Sequence, residues 1–130
     1  MKNLDILKKG YESFAKGDIA TVLTTWHDDI VWEECPGMPM VEGDGKYIGH
    51  KAVVVEKVLA KIPDYIDNFN IEISDFIDGG DKVAVVGYYT GTLKSSGKPF
   101  RAQATHAWTF KDGKASHFFQ AVDTATIING

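Results

Sequence analysis

Cysteine is almost missing from this sequence of 130 residues, in which Cys35 is the only one. A single thiol excludes an internal disulfide framework. Uninterrupted apolar runs are also short, far below the roughly 20 residues that a membrane-spanning helix needs. The first residues become charged too early for the apolar region of a secretory signal. We therefore expect a cytoplasmic protein without a membrane partner.

Positive charge is scarce as well, since 14 Lys and Arg stand against 18 Asp and Glu, for a net charge of −4. Without a cluster of basic residues to neutralise phosphates, nucleic acid is not an expected partner. No H-x-H, C-x-x-C or H-E-x-x-H spacing indicates a metal site. Gly43-Asp44-Gly45 does not precede a helix, so it predicts no nucleotide phosphate site. We expect neither a metal nor a cofactor.

The composition is that of one folded domain over 1–130, with 44% hydrophobic, 12% aromatic and 25% charged residues. A chain of this size buries about two-thirds of its surface on folding. A core, or a modest pocket inside one, is therefore possible without disulfides or a metal.

Helical periodicity dominates the first half of the chain and strand alternation the second, which favours an α+β domain. Asn3 is predicted to cap a first helix that runs past Phe14, and Asp18 to cap a second, short helix. A third helix is predicted over 51–62, ended by Pro63.

Strands are predicted on both sides of that third helix. One covers 30–34 and leads into an irregular loop over 35–49, which holds two prolines and four glycines. After Asn68, a long antiparallel meander is expected, because turn signals at 79–81, 96–97 and 112–113 separate alternating segments.

Tight turns at 96–97 and 112–113 would decide which side chains share a face of this meander. On that register His106 lies opposite Phe119 and Ala102 opposite Asp123, all on one face. A slip of one residue would move every assignment to the other face. The same face takes up small residues of the preceding strand, Gly87 and Gly91, which leave room for a cavity or else allow the sheet to bend.

The opposite face of the meander is predicted to mix Tyr88, Phe118 and Val122 with Thr and Gln. Mixed polarity of this kind suits a contact between two copies of one chain. We therefore expect a homodimer through the outer face of the sheet.

Five segments resemble one known group of proteins in their order and spacing: FAKGD at 14–18, DDIVWE at 28–33, YIGH at 47–50, HAWTFKDGK at 106–114 and AVD at 121–123. They are similar to the SnoaL-like polyketide cyclases and ketosteroid isomerases of the nuclear transport factor 2-like superfamily. The resemblance implies one cone-shaped α+β domain, with three N-terminal helices on a strongly curved antiparallel sheet and an internal pocket.

The resemblance also implies site residues. Asp123 matches the acid–base aspartate of the cyclases, and Glu34 matches the general base of the isomerases. His106 could orient Asp123 or polarise a substrate carbonyl. Each has a structural alternative, since Asp123 can cap the segment that follows, His106 can be a buried structural histidine and Glu34 a solvated acid. The helix tyrosine of the isomerases has no clean counterpart, because Tyr11 is one position off, and neither Ala102 nor Gln103 replaces their second aspartate.

Five aromatic residues are candidates for substrate binding, with plain core packing as the alternative: Phe14, Trp32, Tyr89, Trp108 and Phe119. We expect a cofactor-independent acid–base enzyme of isomerase, cyclase or dehydratase type, acting on a small hydrophobic carbonyl compound. The alternative is a non-catalytic module that binds a small molecule or a protein, and a third possibility is an interior filled by side chains.

Overall fold

The computed structural model describes residues 2–129 as helices around one six-stranded sheet. The helices are α1 (Asn3–Ala15), α2 (Ile19–Thr24), α3 (Ile62–Tyr65) and α4 (Thr124–Asn129). The strands are β1 (Trp26–Glu33), β2 (Lys46–Ile48), β3 (Ile66–Asp78), β4 (Lys82–Leu93), β5 (Lys98–Lys111) and β6 (Lys114–Val122). The strand order is β2-β1-β6-β5-β4-β3, and only β1 and β6 pair in parallel among these strands. The α+β expectation is confirmed.

The first two helices form much as the sequence predicts. Gly17 has a φ of 75°, which suits a glycine, and the Asp18 side chain accepts the Thr21 N–H at 3.1 Å to cap α2. The Asn3 cap is wrong, because α1 begins at Asn3 itself and the Asn3 amide donates instead to the Gly80 carbonyl. That bond ties the start of α1 to the turn before β4.

The predicted third helix over 51–62 is wrong as a continuous helix. The chain forms a π-helical stretch, His50–Val55, and a 3₁₀ turn, Leu59–Lys61. Val53, Val54 and Val55 are consecutive β-branched residues, which crowd an α-helix. Pro63 lies in the first turn of α3, where a missing N–H is tolerated, so it begins a helix rather than ending one.

Close contacts between strands explain the small residues of β4. A Cβ added at Gly87 would overlap the Glu72 carbonyl oxygen of β3, and one added at Gly91 would lie 2.6 Å from the Ile66 side chain. The pairing of β3 with β4 also shifts twice along its length. These glycines therefore allow β3 to bend closely over β4, and they do not leave the empty space that a pocket needs.

The two hairpins of the meander depart from tight turns in different ways. Leu93 pairs with Lys98, so four residues connect β4 to β5, and Tyr89 lies opposite Ala102. This change moves every partner by two residues and leaves the faces as predicted. Between β5 and β6 the register shifts by one residue after Phe110 pairs with Ala115.

That single-residue bulge at Ser116 reverses the predicted faces of β6. His106 pairs with Gln120 rather than Phe119, and Trp108 pairs with Phe118. Phe118 and Gln120 are consequently buried, whereas Phe119 is 48% exposed on the outer surface. The prediction that Phe118 and Val122 belong to the outer face is therefore wrong.

The core lies between the concave face of the sheet and the helical segments. One cluster of buried residues is centred on Trp26, Trp32, Trp108 and Phe118, and a second contains Ile66, Tyr89 and Ile127. Within residues 2–129, no helix has both the length and the apolar character of a membrane span.

Candidate functional site

A cavity of ≈ 60 Å³ lies inside the concave face, between the sheet and α1. Its wall is mostly apolar, and the titratable or amide side chains that reach it are Tyr11, Glu34, Tyr89, His106 and Gln120. Pockets that enclose drug-sized ligands are roughly 300–1,000 Å³. Aromatic side chains fill most of this interior, and the remaining space suits a few water molecules or a small organic group.

A wider groove of ≈ 370 Å³ lies between α1 and β3. It shares Tyr11, Phe14, Phe69 and Ile71 with the wall of the cavity. The groove therefore adjoins the cavity at these four side chains.

Glu34 follows β1 and points into the cavity, where only 5% of it is exposed. Its backbone is held by the Glu34 N–H, which donates to the Gly45 carbonyl at 2.8 Å. A Cβ at Gly45 would overlap the Glu34 carbonyl oxygen, so this approach requires glycine. The neighbouring Glu33 points outward to His117 at 2.5 Å, as alternation along a strand demands.

The environment of Glu34 favours its protonated form. Burial raises the pKa of this carboxyl to about 7, although hydrogen bonds from Trp32 and Gln120 lower it in part. The Trp32 indole N–H donates to Glu34 Oε1 at 2.8 Å. Glu34 is therefore a carboxyl that can both take and release a proton near neutral pH.

His106 lies on β5 between two tyrosine hydroxyls. Its Nδ1 is 2.5 Å from the Tyr11 hydroxyl, and its Nε2 is bonded to the Tyr89 hydroxyl. Burial lowers the pKa of the imidazole to about 3, so His106 is neutral at physiological pH. Burial likewise raises the pKa of Tyr11 and of Tyr89 well above the usual value, so both hydroxyls keep their protons.

Two N–H groups complete this network. The Trp108 indole donates to the Tyr11 oxygen at 2.9 Å, and the Gln120 amide donates to the Tyr89 oxygen at 2.5 Å. The Cys35 backbone N–H donates to Gln120 Oε1 at 2.9 Å, which fixes the orientation of the amide. A continuous chain of hydrogen-bonded side chains thus runs along the cavity, with Tyr11 contributed by α1 and the others by the sheet.

The structure brings six of the eight sequence-predicted site residues to the cavity: Phe14, Glu34, Trp32, Tyr89, His106 and Trp108. Phe119 is not among them, because the bulge in β6 turns it outward. Tyr11 and Gln120 line the cavity and were not predicted. Tyr11 lies on the apolar stripe of α1, and Gln120 is an amide among apolar neighbours, but the tight-turn register places Gln120 outside.

Asp123 lies outside the cavity and is exposed. Its carboxylate accepts the Thr126 N–H at 3.2 Å and the Thr126 hydroxyl at 2.5 Å, capping α4. These bonds lower the pKa of Asp123. The prediction that Asp123 faces the pocket beside His106 is therefore wrong, and the helix cap, its structural alternative, is what the structure contains.

No group of three or more His, Cys, Asp or Glu side chains within residues 2–129 is arranged to hold a metal ion. The four histidines lie apart, and His106, the one in the cavity, has both ring nitrogens engaged by tyrosines.

Comparisons with known proteins agree with this architecture. A family model described as a SnoaL-like domain matches residues 7–118, and no curated protein matches the chain. An NTF2-like protein from Burkholderia thailandensis superposes with a TM-score of 0.91 at 27% identity, over 99% of this chain and 96% of that one. An NTF2-like protein of unknown function from Burkholderia pseudomallei gives 0.86 at 27% identity, over 98% and 95%. TerC, co-crystallised with polyporic acid, gives 0.84 at 27% identity, over 98% and 95%.

Proposed function

The chain belongs to the SnoaL-like domain family, and from that premise we propose that it is a cofactor-independent acid–base enzyme acting on a small hydrophobic carbonyl compound. The observation that carries the proposal is Glu34, a carboxyl enclosed by an apolar wall with a pKa of about 7. The fold by itself supports many functions, so the chemistry depends on this side chain and its surroundings.

The chemistry follows from what a buried carboxylate can do. Glu34 takes a proton from the carbon next to the substrate carbonyl, and the C–H electron pair forms a carbon–carbon double bond. The carbonyl π pair moves to oxygen, which gives an enolate. The Glu34 carboxyl then returns the proton to the same or a conjugated carbon. A pKa close to ambient pH serves both directions of this transfer.

The dimensions of the interior support a small substrate. The cavity of ≈ 60 Å³ accepts the reacting carbonyl end, and the groove between α1 and β3 offers apolar surface to the remainder. Co-crystallisation of TerC with polyporic acid supports a small-molecule ligand for a chain of this similarity. The substrate class is therefore an apolar carbonyl compound rather than a phosphorylated or strongly charged one.

Proton exchange in D₂O tests the proposal directly. Acetone and cyclopentanone are incubated with the protein, and loss of their α-proton signals is followed by NMR. We expect wild type to accelerate exchange, with a rate that rises with pH and levels off above about 7 as Glu34 ionises. Glu34→Gln should abolish the acceleration.

Glu33→Gln is the matched control, because Glu33 is adjacent in sequence and points away from the cavity. This variant should accelerate the exchange of the ketone α-protons as much as wild type does. Acceleration that survives in Glu34→Gln would show that another group is the base.

The narrow cavity favours one other function, a non-catalytic module that holds a small apolar ligand in the groove between α1 and β3. In that case ligands would raise the melting temperature by mass action while no variant changed the exchange rate.

A further inference from the structure

The hydrogen atoms of the network around His106 can be counted from its donors. Indole and amide N–H groups only donate, so the Tyr11 oxygen accepts from Trp108 and the Tyr89 oxygen accepts from Gln120. The Gln120 amide cannot be reversed, since its oxygen accepts the Cys35 backbone N–H. Each tyrosine oxygen therefore already receives one hydrogen bond before His106 is considered.

A neutral imidazole has one N–H and one bare nitrogen. With both ring nitrogens bonded to hydroxyls, His106 donates to one tyrosine and accepts from the other. The tyrosine that donates to His106 has used its hydrogen. The tyrosine that accepts from His106 receives two hydrogen bonds and retains an O–H with no partner in the network, whichever tautomer is present.

The direction of that remaining O–H is restricted by the same contacts. Tyr11 and Tyr89 both line the cavity, and within the described residues no other side chain or carbonyl accepts from either hydroxyl. The open side of each oxygen is the cavity. An O–H donor directed into a mostly apolar cavity with room for only a few water molecules is a strong recognition element for a single acceptor oxygen.

We propose that Tyr11, His106 and Tyr89 act as one unit that presents a single hydroxyl donor to the carbonyl oxygen of the ligand, with the tautomer of His106 deciding which tyrosine supplies it. This inference names the atom by which the proposed substrate is recognised and rests on the proposed function for that substrate's identity. The ligand class is an uncharged compound with one carbonyl oxygen on a compact apolar skeleton. During enolate formation the same hydroxyl stabilises the charge on oxygen and keeps its own proton.

A pair of ligands that differ only in the oxygen tests this unit. Cyclopentanone and methylenecyclopentane have the same shape, with C=O in one replaced by C=CH₂ in the other. NMR titration of wild type should show cyclopentanone binding about tenfold more tightly, the contribution of one buried hydrogen bond. Equal affinities, or no binding of either, would overturn the proposal.

Variants locate the donor. Tyr11→Phe and Tyr89→Phe should each keep part of the preference, because His106 can change tautomer and let the other hydroxyl donate. The double variant should bind both ligands equally. A double variant that retains the full preference would exclude the hydroxyls as the donors.

The ring nitrogens of His106 give a second measurement that needs no variant. In ¹⁵N spectra of wild type at neutral pH, one ring nitrogen should be protonated and the other bare. Saturation with cyclopentanone should leave populated the tautomer whose free hydroxyl meets the carbonyl, and methylenecyclopentane should leave the populations as in the free protein. A doubly protonated ring, or a ring that stays an equal mixture of tautomers with cyclopentanone bound, would contradict the unit. A purely structural histidine would show no such dependence on the oxygen.

These measurements do not depend on turnover. Binding that distinguishes the oxygen, combined with no proton exchange, would refute Glu34 as a base and leave the donor unit intact. Proton exchange that depends on Glu34, combined with equal affinities for the two ligands, would refute the donor unit and leave Glu34 intact as the base.

Discussion

Replacing Glu34 by glutamine should stabilise the protein at neutral and alkaline pH. The pKa of this carboxyl rises from 4.5 to about 7 on folding because the side chain is buried. The folded protein therefore retains a proton that the unfolded chain has lost, and the free energy of unfolding falls as the pH rises through this interval. At about 1.4 kcal/mol per pH unit, the loss is about 3 kcal/mol at pH values above about 7.

Glutamine has nearly the same shape, stays neutral and can still accept the Trp32 N–H. Urea denaturation of wild type and Glu34→Gln is measured from about pH 4 to about pH 8. The two free energies of unfolding should be similar at about pH 4, and that of the variant should be higher by about 3 kcal/mol at about pH 8. Glu33→Gln should show no comparable gain. A difference that is independent of pH, or a variant less stable than wild type at about pH 8, would refute the burial argument.

His106 contributes the opposite dependence. Its pKa falls from 6.5 to about 3 on folding, so below about 6.5 the unfolded chain binds a proton that the folded protein does not. Stability therefore rises with pH over this interval. In wild type, Glu34 lowers and His106 raises the free energy of unfolding as the pH increases from 4.5 to 6.5. Glu34→Gln removes the first effect, so the free energy of unfolding of this variant should show the increase due to His106.

Four further outcomes are expected. Trp32→Phe removes the N–H bonded to the Glu34 carboxylate, so the midpoint of the exchange rate against pH should move above 7, and an unchanged midpoint would contradict this. Asp123→Ala should lower the melting temperature by a few degrees and leave the exchange rate unchanged, whereas loss of exchange would restore it as a catalytic candidate. Gly87→Ala should lower the free energy of unfolding by about 1–3 kcal/mol in urea denaturation, because its Cβ meets the β3 backbone, and a neutral effect would contradict that contact. Light scattering of wild type should give the mass of two chains. Phe119→Lys, on the outer face of the sheet, should give the mass of one chain, and a monomeric wild type would exclude the homodimer.

The strand faces show how far the sequence could predict this site. The connection between β4 and β5 is two residues longer than a tight turn, but an even displacement preserves alternation, so Tyr89 and His106 lie inside as expected. The bulge in β6 shifts the register by one residue, an odd number, so Gln120 lies inside and Asp123 outside, the reverse of the predicted faces. No local signal distinguishes these cases, since Asp112-Gly113 forms the predicted turn and the irregularity follows it.

Packing decided the remaining differences. Phe118 stacks on Trp32 with ring centroids 3.8 Å apart, and burying this pair favours the bulged register over the regular one. The helix predicted over 51–62 has a suitable apolar pattern, yet three consecutive valines and Val54 at full burial leave it irregular. Glu34 was recognisable only through the resemblance, because an acid at the end of a strand is more often solvated.

The extra residue at Ser116 also bears on how proteins of this fold diverge. If Ser116 alone were deleted, β6 would pair regularly with β5 and Phe118 and Gln120 would keep their present partners and their place inside. A deletion near the start of β6 would then make its pairing with β5 regular without altering the chemistry of the interior. One residue more or fewer between the last turn and the interior amide is thus compatible with the same interior, and equivalent positions in chains of this fold are found by counting strand faces from the centre of the sheet.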